Sequence, residues 1–355
     1  MILVTGGTGL LGSRLLFDLT SRGERVRAIK RETSNLDAVR RIFSYHSDRP
    51  AELLFRIEWV DADIMDIDSL LEAMDNVNYV YHTAGFVSFD PEDREIIIKT
   101  NVDGTRNVVN ACLARSVKKL CHVSSTSALG PADPDGLVRE ASLWVSEKDT
   151  CSYYISKYRS EMEVWKGMEE GLKSVVVNPS IILGPGFWQK GFSQIFPAVY
   201  RGYSYYTSGG SGFVAVEDVA AAMITLMNSR ITGERFILTA ENLTYNEVLT
   251  LIARSLKVRP PSIEINSFIG NIALCIDNLR GIFGGKRILT REILASAYKK
   301  IYLSNEKFTE TFHADFMSIK NAINKICELF RKDIEEGWLS KKGKIWKNPE
   351  KIRGY

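Results

Sequence analysis

The chain has 355 residues, enough for one large α/β domain or a main domain with a smaller companion. Apolar residues make up 45% and charged residues 25%, the proportions of an ordinary globular protein. A formal net charge of +3 with dispersed basic residues argues against a nucleic-acid partner, and five cysteines (Cys112, Cys121, Cys151, Cys275, Cys327) without C-x-x-C spacing argue against zinc and fit free thiols in a reducing compartment.

Residues 1–5 read as a strand that no basic segment precedes, so a signal peptide is not expected. "TGGTGLLG" then places Gly6, Gly9 and Gly12 between that strand and a helix over 10–22, whose Leu11, Leu15, Leu16 and Leu19 share one face. In this context each glycine has a task. Gly6 permits the tight turn, Gly9 lets backbone N–H groups approach a pyrophosphate, and Gly12 lets the helix pack closely on the strand. The helix N-terminus adds unsatisfied donors and the positive end of its dipole, so the loop predicts a dinucleotide site; a plain glycine turn is the alternative.

"RVRAIK" is the second strand, and Lys30 and Arg31 follow where NAD binders usually place an acid. A carboxylate there would repel a 2′-phosphate, whereas Arg31 can bind one bidentately, so NADP is predicted with NAD possible. The alternative is two solvated surface charges. After a polar stretch, "FRIEWVDADI" is a strand ending near Asp63 and Ile64, which are expected at the adenine, the carboxylate taking its amino group and Ile64 packing on the ring. "DIDSLLEAM" starts a helix at a capping Asp, "VNYVYHTAG" is a strand, "NVDGTRNVVNACLARS" a helix, and "KKLCHVSS" a strand. His82 and His122 read as packed histidines within these strands. "YISKYRSEMEVWKGMEE" is a long helix and "KSVVVNPSIILG" closes the series. Strands alternating with helices imply a doubly wound parallel sheet covered on both faces.

Beyond residue 179 the pattern loosens into Gly-, Tyr- and Ser-rich chain. "FVAVEDVAAAMITLM" restores a strand and helix, with Asp218 as a helix-start residue, and "ERFILT" adds a strand. From 244 the chain reads mainly helical. The expected organisation is a nucleotide-binding domain over 1–178, completed by about 212–239, with 179–211 and 240–355 forming a smaller, mainly helical C-terminal substrate lobe. The apolar run 267–285 is broken by Asn271, Asp277, Asn278 and Arg280, so no membrane span is expected. The basic end, 340–355, reads as a solvated tail. A cytoplasmic location follows as an expectation.

The chemistry concentrates in "CSYYISKYRS". Tyr153 and Lys157 stand four apart on a helix and so share a face. An ammonium beside the phenol would favour phenolate and bring its pKa toward working pH, which suits an acid/base. Upstream, "CHVSSTSALG" offers Ser124, Ser125, Thr126 and Ser127 at the sheet's carboxyl edge, as ligand contacts or as ordinary turn residues. Phe86, Phe89, Phe187, Trp188, Tyr203, Tyr205 and Tyr206 flank the same cleft, either as substrate contacts or as packing residues.

The glycine loop, hydroxyl cluster and Tyr/Lys pair occur in the order and approximate spacing of the extended short-chain dehydrogenase/reductases, the NAD-dependent epimerase/dehydratase superfamily. "TGGTGLLG", "YHTAG", "NVDGTRNVV", "GPG" after "NPSIIL", and "FVAVEDVA" resemble its landmarks over nearly the whole chain. That resemblance implies a Rossmann domain with Ser125 as catalytic serine, Tyr153 as acid/base, Lys157 as its partner and Asn101 in support. It implies that Thr8, Leu10 and Leu11 join the three glycines at the cofactor, as do Thr83, Ala84, Gly85, Pro179, Ser180 and Ile182. Phe86, Ser125, Phe187 and Tyr205 would meet the substrate. Thr126 and Ser127 stand where the 4,6-dehydratases carry an Asp-Glu pair, which weighs against water elimination. Leu129-Gly130 and Asn178-Pro179 depart from the sugar-nucleotide epimerase pattern. "AIKRETSN", "HTAGFVSF" and "NPSIILGPG" look closer to the dihydroflavonol-reductase and 3β-hydroxysteroid-dehydrogenase-like branch, which implies hydride transfer on a fairly apolar small-molecule carbonyl or secondary alcohol. A sugar-nucleotide epimerase with tightly held NAD and a non-catalytic NADP-sensing regulator are the alternatives. A homodimer through helices 101–115 and 153–169 is also implied.

Overall fold

The computed structural model describes residues 1–145, 150–266, 294 and 297–339. The apolar run 267–285 and the basic end 340–355 lie outside the described residues. In chain order the strands are β1 (Ile2–Thr5), β2 (Val26–Lys30), β3 (Ile57–Asp61), β4 (Tyr79–His82), β5 (Lys119–Val123), β6 (Leu137–Val138) and β7 (Ser174–Pro179). These are followed by β8 (Ile181–Leu183), β9 (Tyr205–Tyr206), β10 (Gly210–Ala215), β11 (Glu234–Leu238), β12 (Glu241–Thr244), β13 (Ile263–Glu264) and β14 (Tyr302–Leu303).

Seven strands form one all-parallel sheet in the order β11-β7-β5-β4-β1-β2-β3. The order reverses between β1 and β4, and in open α/β sheets such a reversal opens a crevice beyond the carboxyl ends of the strands. Helices cover both faces, as continuous apolar strands such as Ser174–Pro179 require. On one face, Leu15, Leu16 and Leu19 of the helix Leu10–Ser21 pack with Val219, Ala220 and Met223 of the helix Val216–Asn228. On the other, Leu70, Val108, Val109, Cys112 and Val164 come from the helices Ile67–Ala73, Gly104–Ala114 and Ser152–Glu169. Each fully buried leucine here contributes roughly 1.5–3 kcal/mol of transfer free energy. A third cluster, holding Trp188, Phe196, Phe213, Ile252, Ile326 and Phe330, is the core of the chain's C-terminal part.

Three features differ from the sequence reading. The polar stretch after β2 contains a helix, Asp37–His46, whose Val39, Ile42 and Phe43 are buried. "NPSIIL" is two strands: β7 ends at Pro179 and β8 leaves for a separate three-stranded sheet, β12-β10-β8. "FVAVED" runs into β10 of that small sheet, while β11 returns to the large one. The capping Asp is found as expected: the Asp66 side chain accepts from the Asp68 N–H at the start of Ile67–Ala73. The described cysteines are free thiols, and among the described residues no helix is long and apolar enough to cross a membrane.

Candidate active site

The glycine loop sits at the carboxyl end of β1, directly at the strand-order reversal. Gly6 has φ +70°, and a Cβ there would stand 2.5 Å from the Ala84 nitrogen, so both conformation and space demand glycine. At Gly12 a Cβ would come within 2.2 Å of the Gly6 carbonyl oxygen. Gly12 therefore closes the helix onto the loop itself, where close packing on the strand was expected. Gly9 is different: its Cβ would meet only the Gly6 oxygen, at 3.4 Å, so little inside the protein forbids a side chain. What Gly9 keeps open is the outer side of the loop, above a helix whose N-terminus has no side-chain cap. Uncapped donors behind an open cradle suit a pyrophosphate. Thr8 is half-buried; Leu10 and Leu11 begin the helix, with Leu11 in the core.

Beyond β2, Lys30 is paired with Asp61 of the neighbouring β3. Arg31 is exposed, its N–H donating to the Ser34 hydroxyl at 3.1 Å, and among the described residues its guanidinium has no ion-pair partner. The two basic residues are thus not equivalent: Lys30 is spent on an ion pair and Arg31, among the described residues, is not. Asp63 uses one carboxylate oxygen on the Met65 N–H at 3.0 Å. Ile64 is only 8% exposed and packs on Gly104, where a Cβ would lie 2.6 Å from its Cδ1. Most of its side chain is thus spent on the core, which leaves little of it for the adenine ring it was expected to pack on.

At β4, the Thr83 hydroxyl donates to the Thr5 carbonyl at 2.7 Å, and the Ala84 N–H points to the Thr5 hydroxyl at 3.4 Å. Thr83–Gly85 are thereby held beside the glycine loop. Asn101, 3% exposed, lies in a single turn of π-helix (Lys99–Asp103), a geometry frequent at functional sites. Its side chain accepts from the Phe86 N–H at 2.7 Å and donates to the Phe86 carbonyl at 2.9 Å and the Ser156 hydroxyl at 2.9 Å. Asn101 therefore clamps the β4 loop to the Tyr/Lys helix.

Ser125 stands two residues beyond β5 in extended backbone and caps a short 3₁₀ turn, Thr126–Ala128. Its hydroxyl accepts from the Ser127 N–H at 3.2 Å and the Ser127 hydroxyl at 2.9 Å. Ser125 and Ser127 stand close enough to the Tyr153 phenol for both to favour its ionised form. One turn along the helix, the Lys157 ammonium donates to the Val123 carbonyl at 2.9 Å. A Cβ at Gly85 would stand 4.0 Å from that ammonium and 3.5 Å from the Asn101 Oδ1, so Gly85, Asn101 and Lys157 meet. Burial pushes the Tyr153 phenol above its ordinary value, outweighing the lowering effect of Ser125 and Ser127. This corrects the expectation that Lys157 would bring the phenol toward working pH. Lys157 itself is lowered by burial to about 8, against the raising effect of Glu161.

Phe89 stands edge-on to Tyr153 with ring centroids 5.4 Å apart, and Phe86 is 36% exposed beside it in sequence. Phe187 and Tyr205 have no ring contact with Tyr153 among the described residues; Tyr205, 46% exposed, pairs with Tyr203. Trp188 is a core residue, 1% exposed, with its indole N–H on Asp333 at 2.6 Å, which removes it from the cleft. Pro179 ends β7; the Ser180 N–H and hydroxyl both donate to the Leu238 carbonyl, and Ile182 lies in β8. His82 bridges the hydroxyls of Thr5, at 2.6 Å, and Thr105, at 3.1 Å, as a packed histidine would. No motif singles out Ser156, Glu161 or Arg235, yet all three hold the site; of these only Glu161 carries a signal in the sequence, the i, i+4, i+8 register of Tyr153, Lys157 and Glu161.

A model of the NAD dependent epimerase/dehydratase family matches residues 2–238. Sterol demethylase protein B of Methylococcus capsulatus is 31% identical over 249 residues, 70% of this chain and 72% of that protein. Dihydroflavonol 4-reductase of Arabidopsis thaliana is 26% identical over 302 residues, 81% of this chain and 76% of its own length. Among solved structures, gox2253 superposes with a TM-score of 0.77 at 31% identity, covering 94% of this chain and 98% of the other. The UDP-glucose 4-epimerase of Thermotoga maritima shares the fold, with a TM-score of 0.74 at 20% identity over 94% of this chain and 99% of that one.

Proposed function

The chain belongs to the NAD dependent epimerase/dehydratase family as an oxidoreductase of the extended short-chain dehydrogenase/reductase type, and we propose that it is an NADP-preferring reductase of a fairly apolar carbonyl compound, or the reverse alcohol dehydrogenase, with Ser125, Tyr153 and Lys157 as its catalytic residues. The observation that carries this reading is that Ser125 and the Tyr153 phenol come together at the end of β5, with the Lys157 ammonium, one turn along the helix, on the Val123 carbonyl at 2.9 Å. Curated relatives named as reductases support the direction of the chemistry.

NADPH, when bound, supplies the hydride for a carbonyl carbon. Gly6, Gly9 and Gly12 with the helix start at Leu10 would hold its pyrophosphate, and Arg31 its 2′-phosphate. Asp63 would take the adenine amino group, and Gly85, Lys157 and the Pro179–Ile182 segment would flank the nicotinamide end. The Tyr153 hydroxyl donates its proton to the substrate oxygen. A phenol held above its ordinary pKa enters that step protonated, as a donor must. The Ser125 hydroxyl orients the same oxygen, and the nearby Lys157 cation stabilises the phenolate left behind. Phe86 and Phe89 offer an apolar wall beside Tyr153.

The test is nicotinamide absorbance with NADPH and with NADH across ketones, aldehydes and flavonoid- or steroid-like carbonyls, with Tyr153→Phe as control. Turnover preferring NADPH and lost in the variant is expected. Binding of both cofactors with no turnover of any carbonyl, or equal turnover by the variant, would overturn the reading and send the search to sugar nucleotides.

A further inference from the structure

Glu161 is fully buried on the Tyr153/Lys157 helix, and four donors converge on it from four directions. The Ser124 hydroxyl donates to Oε2 at 2.5 Å and Asn178 Nδ2 to the same oxygen at 2.8 Å. The indole of Trp165 donates to Oε1 at 3.1 Å and Arg235 Nη1 to it at 2.9 Å. A carboxylate without a proton only accepts, which is what four donors require. Asn178 then passes the connection on: its Nδ2 also donates to the Ser125 carbonyl at 3.0 Å. Both partners of that nitrogen can only accept, so the amide has one usable orientation, and it leaves the buried Asn178 Oδ1 without a partner among the described residues. An orphaned buried acceptor costs stability, so the link is not there for stability alone.

We propose that Glu161 is a positioning residue for the reaction: through Ser124 and Asn178 it holds the Ser125 turn against Tyr153, and it stands one helical turn beyond Lys157. This rests on the Ser125–Tyr153–Lys157 reading above. The charged and titratable groups around Lys157 are Glu161 and Tyr153 on its own helix and the buried imidazoles His82 of β4 and His122 of β5, both held well below their ordinary pKa by burial. Around Glu161 stand Lys157, Arg235 of β11 and, beyond Arg235, Glu140, whose carbonyl accepts from the guanidinium at 2.8 Å. Removing the carboxylate charge leaves Lys157 with cations and neutral rings, so it gives up its proton at lower pH. In Glu161→Gln the uncompensated Arg235 adds to that effect; in Glu161→Gln/Arg235→Met it does not.

The experiment measures kcat and KM from pH 6 to 10 with NADPH and whichever carbonyl of the panel above turns over fastest, for wild type, Glu161→Gln, Glu161→Gln/Arg235→Met, Glu161→Asp, Asn178→Ala and Tyr153→Phe. Both charge-removing variants should move the alkaline limb of kcat down by about one pH unit, the single variant further than the double, with Glu161→Asp restoring much of the wild-type limb. Asn178→Ala should lower kcat about tenfold or more, with the limb in place and KM for NADPH within about twofold, because the serine is loosened and the lysine is not. Superimposable pH profiles in a folded charge-removing variant, or wild-type kcat in Asn178→Ala, would overturn the inference. If the Glu161 variants do not fold, Asn178→Ala decides it. Full activity in Tyr153→Phe sinks the underlying reading and this inference with it, and is distinguishable from either of those results.

Discussion

The Lys157 ammonium donates to the Val123 carbonyl at 2.9 Å, two residues before Ser125. The cation is thereby tied to the strand end that presents the serine, and its burial lowers its pKa to about 8. Carbonyl reduction should accordingly lose rate as pH rises through about 8, where the ammonium is titrated. Lys157→Met should lower kcat by about 10²–10⁴-fold with no remaining dependence in that window. A pH–rate profile of the two proteins checks this, and a wild-type profile flat to pH 10 would contradict it.

Gly9 and Gly12 should respond oppositely to the same methyl group. Gly12→Ala forces a Cβ to within 2.2 Å of the Gly6 oxygen and should destabilise by about 1–3 kcal/mol, seen as a lower melting temperature. Gly9→Ala meets only an oxygen at 3.4 Å and should melt close to wild type while binding NADPH more weakly in a fluorescence titration. Equal melting temperatures for the two variants would count against this division of labour.

Arg31 and Lys30 differ in what they have left to offer, since Lys30 is paired with Asp61. Losing one charge-assisted phosphate contact costs about 1.5–3 kcal/mol, so Arg31→Ala should reduce kcat/KM for NADPH by roughly 10–100-fold and leave NADH nearly unchanged. Lys30→Ala should have the smaller effect on NADPH. Steady-state kinetics with both cofactors decides the matter.

His122 is buried with neither ring nitrogen hydrogen-bonded among the described residues, and its centroid is 5.1 Å from that of His82. Burial lowers both imidazoles, His82 to about 3. A depressed native pKa means that the unfolded chain binds more protons between about pH 6.5 and 3, so stability is present above 6.5 and falls as pH drops through that window. His122→Leu should be neutral or stabilising by about 1 kcal/mol at pH 7 and should flatten the loss on the acid side. Melting temperatures at pH 7 and pH 5 test it; a steeper acid loss in the variant would refute it.

Much of the nucleotide-binding half was legible because its signals are local. Gly6 and Gly12 are required by backbone within a few residues of chain or of the adjacent strand end, and Tyr153 and Lys157 share a helix face by period alone. The helix Asp37–His46 was hidden because it has no side-chain N-cap and buries only three apolar residues among charged ones. The break between β7 and β8 was hidden because both strands are apolar, and period does not say which sheet a strand joins.

What the amino-acid order determined by itself is the alternation of strands and helices, the glycine turn after β1, and the shared face of Tyr153 and Lys157, since each depends on spacing along one element. The tertiary structure alone decided which charges remain free and which are spent. It paired Lys30 with Asp61 and left Arg31 open. It turned Ile64 into the core and set burial above the neighbouring serine hydroxyls in raising the Tyr153 phenol. It also gathered Ser124, Asn178, Trp165 and Arg235 around Glu161. Desolvation and hydrogen-bond pairing depend on groups far apart in the chain, and those distances exist only once the sheet has formed.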